Sequence, residues 1–170
     1  MNMNFIKIEV MENFKTKFKD AIEERLLKDG KMHISKIDDE FIWIERNDKQ
    51  IGHLDCHYEL ICKDQPKFRH SPYHVHVEVH FENDDTYQLF ESIKGIPGVK
   101  VIISKPNKRG EQVEWENIGL RTNEEGHCID NISMDNLVND VIADLYKTDA
   151  LVGDAIRRII QEKGICNNKD

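Results

Sequence analysis

Two stretches of the chain place a histidine or carboxylate at nearly every second position. The first is His53-Leu54-Asp55-Cys56-His57-Tyr58-Glu59, and the second is His74-Val75-His76-Val77-Glu78-Val79-His80-Phe81-Glu82. Imidazole and carboxylate groups exchange protons as general acid and base. The same groups ligate zinc, manganese or iron, and such an ion can activate water for hydrolysis. Side chains alternate between the faces of a β-strand. Read as strands, the two segments gather His53, Asp55, His57 and Glu59 with His74, His76, Glu78, His80 and Glu82. Leu54, Cys56, Tyr58 and Leu60 fall on the opposite face, with Val75, Val77, Val79 and Phe81. Five of the eight histidines of the protein then share one side of a sheet.

The connection between the segments is short, so antiparallel pairing is expected. A register that opposes Glu59 to His74 also opposes His57 to His76, Asp55 to Glu78 and His53 to His80. The candidate surface is therefore the face bearing His53, Asp55, His57, His74, His76, Glu78 and His80. Two readings compete for it. In the first it is the wet, half-exposed face of a sheet, used by a binding or accessory protein that needs no cofactor, its partner a protein or small molecule. In the second those seven residues supply ligands to zinc or manganese in a metal-dependent hydrolase, with a phosphodiester among the substrates considered. No His-Glu-x-x-His motif supplies a further ligand, and no residue is assigned a catalytic role. The first reading is the expectation carried forward.

Other chemistries find little footing. Glu78-Val79-His80, with Asp55 upstream and Glu23 or Glu24 on a first helix, echoes the acidic residues of restriction-type nucleases. However, His80 stands where their lysine would be, and no Pro-Asp precedes it. Ser71, Ser104 and Ser133 lack a Gly-x-Ser-x-Gly setting, and no glycine-rich phosphate loop occurs. The formal net charge is −8, and the basic residues are dispersed, which argues against a nucleic-acid partner and suits solubility or a basic protein partner. Cys56, Cys62, Cys128 and Cys166 form no Cys-x-x-Cys pair, so thiolate zinc binding has no support and reduced thiols in the cytoplasm are expected. Neither a secretory signal nor an apolar run of about 18 residues is seen, so no membrane span is expected.

The elements that must position the face can be read from periodicity. With 170 residues, 39% of them hydrophobic, the chain suits one domain, in which 1–8 form an N-terminal appendage and 167–170 a frayed tail. Three–four spacing predicts a helix over 9–28, ended by Gly30. Strands follow at 32–37, 40–46, 50–62 and 73–82, then a helix at 84–94 and a hairpin of 99–105 with 111–121. Thr122 to Asn131 reads as a polar loop with His127 at the surface. Two final helices start at caps Ser133 and Thr148, with Leu137, Val141, Leu145, Leu151, Ala155 and Ile159 facing the core. The order α-β-β-β-β-α-β-β-α-α predicts an α+β fold: a mostly antiparallel sheet with helices on one face.

From Tyr73 to Arg121 the chain resembles an accessory α+β domain found with bacterial restriction-type nucleases. The residues that carry the resemblance are the alternating strand His74–Phe81, Leu89-Phe90, the run Val113-Glu114-Trp115-Glu116 and Arg121. The resemblance implies a fold related to nuclease accessory modules, with no catalytic residues to carry over.

Overall fold

A computed structural model describes residues 3–38, 41–48, 56–63, 74–81, 93, 95–103, 118–156 and 158. Helix α1 spans Met3–Asp29, six residues more at its start than its apolar spacing predicts. Phe18, Ile22 and Leu26 are its fully buried stripe. Gly30 ends it with φ of 65°, and its N–H donates to Leu26 O at 2.9 Å; a side chain would be strained there.

Among the described residues seven strands follow: β1 (Met32–Ile37), β2 (Phe41–Arg46), β3 (Cys56–Lys63), β4 (His74–Phe81), β5 (Lys100–Ile103), β6 (Ile118–Arg121) and β7 (His127–Cys128). They form one sheet in the order β1-β2-β3-β4-β6-β5, with β7 also paired to β4. Every pairing is antiparallel. Ser133 caps α2 (Met134–Thr148) by accepting from Asn136 N–H. The chain then passes through a π-helical turn, Asp149–Gly153. Both helices pack on the sheet face that carries Ile42, Ile44, Tyr58, Leu60, Val75, Val77, Val79 and Leu120. Each such side chain, fully buried, contributes roughly 1.5–3 kcal/mol.

The α+β class and the mostly antiparallel sheet stand as expected. The helix expected at 84–94 apart from the buried, helical Ile93, the part 111–117 of the partner strand, the residues 49–55, and Ile159 lie outside the described residues. Leu137, Val141 and Leu145 are buried; Leu151 and Ala155 are partly buried. Two local expectations are corrected. Thr148 caps nothing: it has helical angles, its side chain makes no cap bond, and its buried hydroxyl pairs with that of Thr122 at 2.9 Å. The helix instead continues into the π turn, where Asp149 accepts from Tyr58 Oη at 2.6 Å and from Arg46. The loop expected at 122–131 contains β7, because His127 can reach α2.

The register of β3 on β4 is also corrected. Lys63, not Glu59, lies opposite His74, and the ladder runs on through Ile61 with His76, Glu59 with Glu78 and His57 with His80. The shift is four residues, an even number, so every side chain keeps its face. Compared with the expected register, it also brings Leu60 opposite Val77 and Cys62 opposite Val75, extending the apolar ladder.

A polar row buried in the sheet as the candidate site

The alternating segments do put their histidines on one face. His57, His74, His76 and His80 share it with Glu59 and Glu78. His53 and Asp55 lie outside the described residues. The face is not wet. His57 is 3% exposed, Glu59 6%, His76 2% and Glu78 5%, while His74 and His80 are partly exposed. The expectation of a half-exposed face is thus corrected at its centre. Polar alternation marks which way side chains point, not whether water reaches them.

Buried ionisable groups need partners. His57 Nε2 lies 3.1 Å from Glu59 Oε1, and His80 Nδ1 lies 3.6 Å from Glu59 Oε2 and 4.0 Å from Glu78 Oε1. Arg121 Nε donates to Glu78 Oε2 at 2.6 Å. The imidazoles of His57 and His80 stack at 5.8 Å, and the Trp43 ring stacks on His57 at 4.0 Å. Both oxygens of each glutamate therefore face a cation or an imidazole of the chain itself. Burial pushes the Glu78 carboxyl above its usual range, against the pull of Arg121.

β6 supplies two parts of this arrangement. Gly119 lies opposite His80, and a Cβ there would come within 1.8 Å of Glu78 Oε1 and 2.4 Å of its Cγ. The bare backbone lets the glutamate fold across the strand toward Arg121, two residues on and on the same face. Gly126 does the same for His76. A Cβ at Gly126 would lie 2.4 Å from His76 Nδ1, and the residue holds φ of 74°. Burial, with Arg121, His74 and His127 nearby, pulls His76 down to about 3, and Asp144 opposes them.

On the helix-covered side, His127 Nε2 lies 3.1 Å from Asp144 Oδ2, and Thr122 donates to Asp144 Oδ1 at 2.7 Å. Burial raises the Asp144 carboxyl, but these two hydrogen bonds together with the charges of His127 and Lys147 hold it below its usual value. His127 was expected as a surface loop histidine; β7 carries it inward instead. Cys62 faces the core as expected, and burial pushes its thiol up to about 11.

Sequence reasoning gave no role in the site to Gly119, Arg121, His127 or Asp144. Gly119-Leu120-Arg121 has the spacing that puts glycine and arginine on one face, but nothing local connects them to Glu78, 43 residues away. Among the described residues, no group of three or more His, Cys, Asp or Glu is placed to hold a metal ion. Comparison with protein-family models, curated proteins and solved structures finds no match to this chain.

Proposed function

We infer that the chain is a binding or accessory protein that works through the polar sheet face, of the kind its resemblance to nuclease accessory modules implies. The pairing of Glu78 with Arg121 carries this reading. A metal-dependent hydrolase needs carboxylates free to hold a cation and to orient water. Here Glu78 is engaged by a guanidinium at 2.6 Å, and Glu59 sits between two imidazoles. An ion would first have to break a short charge-assisted bond.

Metal analysis of untagged, purified protein, combined with thermal melts with and without chelator at pH 7, tests the reading. Less than a tenth of an equivalent of metal and an unchanged melt are expected. One equivalent of zinc or manganese, with a drop of several degrees in chelator that the metal reverses, would instead establish a metal site and the hydrolase reading.

A further inference from the structure

The polar face is bounded by two of the chain's own cations. The register aligns Lys36 with Trp43, Trp43 with Glu59, and Glu59 with Glu78. Arg121 closes the row at Glu78. At the other end Lys36 Nζ sits 4.0 Å from the centroid of the Trp43 ring. The row thus reads cation, π-face, carboxylate, carboxylate, cation. Its Arg121 end is largely buried, whereas Lys36 is exposed and Trp43 partly so.

The placement of Lys36 depends on a backbone irregularity. The pairing of β1 with β2 shifts between Ile34 and Lys36, so Ser35 is an extra residue in the ladder. Without that bulge Lys36 would share the face of Ile34, which packs on the core. Bulges re-aim side chains, and they gather next to functional sites. Phe41, two residues from Trp43 on the same face, stacks on it at 6.2 Å and widens the aromatic platform. The Trp43 ring is stacked on His57, and Lys36 Nζ lies over it, so a visiting cation would meet the ring where Lys36 now sits.

We propose that Trp43 and Phe41 form a docking platform for an arginine side chain of a basic protein partner, with Lys36 as the resident cation that the arginine displaces. This rests on the reading of the polar face as a binding surface and names the partner's chemistry. The formal net charge of −8 favours a basic partner. Arginine stacks on an indole as a planar cation and is less strongly hydrated than the lysine it replaces.

The test titrates the full chain with a hexa-arginine peptide and a hexa-lysine peptide by calorimetry. Hexa-arginine is expected to bind more tightly than hexa-lysine. Lys36→Gln removes the resident cation and is expected to tighten hexa-arginine binding roughly two- to fivefold, the range of an exposed cation–π contact. Lys17→Gln makes the same charge change on the exposed side of α1 and is expected to leave affinity within about 1.5-fold of wild type, since a distant surface charge is screened. Trp43→Leu is expected to weaken binding by at least the same two- to fivefold factor. Equal tightening by the two lysine variants would mean general electrostatics and overturn the proposal. So would no tightening by Lys36→Gln, unweakened binding by a folded Trp43→Leu chain, or no preference for arginine. If Trp43→Leu does not fold, the comparison of the two lysine variants decides alone. A metal found by the analysis above would remove the parent reading without altering that comparison.

Discussion

Replacing Gly119 with alanine tests whether the glutamate row is held as described. A Cβ at this position would meet Glu78 Oε1 at 1.8 Å, Cδ at 2.0 Å and Cγ at 2.4 Å. Real Cβ contacts are never that short, and Cγ belongs to the stem of the side chain, so a small rotation of the carboxylate cannot relieve the clash. Glu78 must swing away and give up its 2.6 Å bond to Arg121. Both groups are largely buried, so separating them leaves unmatched charges at a cost of about 3 kcal/mol. Alanine offsets about 0.5–1 kcal/mol of this by reducing the freedom of the unfolded chain. The net expectation is a loss of about 2 kcal/mol, or roughly 4–8 °C in melting temperature for a domain of this size. Urea denaturation measures it, and the control is the same change in a Glu78→Ala background. With no glutamate to displace, alanine at 119 should cost less than about 0.5 kcal/mol there. An equal cost in both backgrounds would refute the reasoning, because the penalty would then come from the strand and not from the glutamate.

Three further outcomes follow from named contacts. His76 is held near 3 when folded and takes up its proton at about 6.5 when unfolded, so its contribution is complete above about 6.5 and is lost as pH falls toward 3. Allowing for screening, the loss of stability between pH 7.5 and 5.5 should be about 1 kcal/mol larger in wild type than in His76→Gln. Denaturation curves at the two pH values check this, and Glu78, raised on folding, works in the opposite sense, losing its contribution as pH rises above the ordinary carboxyl value. Tyr58→Phe deletes the hydroxyl that donates to Asp149 at 2.6 Å and should cost about 1.5–3 kcal/mol, since the acceptor is charged, with a lower urea midpoint at unchanged slope. Ser133→Ala removes the cap of α2 and should cost about 1 kcal/mol, read from the same curves.

What could be read from the amino-acid sequence was parity; what could not was distance. The alternation of His57, Tyr58 and Glu59, and of His74 through His80, assigns each residue to a face, because slipping one residue would bury charges and expose valines. The same pattern is satisfied by every even shift of the two strands, so the pairing of Glu59 with Glu78 rather than with His74 was outside its reach. The α1 and α2 stripes were legible for a similar reason: a 3.6-residue period is a local property. The corrections cluster where a residue takes its role from something remote. Thr148 has the composition of a cap, but Thr122 takes its hydroxyl. His127 sits in a polar stretch, but Asp144 on the helix draws it inward. Wetness was inferred from polarity alone, yet polarity is compatible with burial wherever partners are at hand. Here the row contains its own: Arg121 for Glu78, His57 and His80 for Glu59. The Ser35 bulge belongs to the same class, because one extra residue in β1 has no composition signature yet decides whether Lys36 meets Trp43 or the core. A row whose charges are matched by its own residues can stay closed at its centre, and its less buried end is the Trp43 ring beneath Lys36.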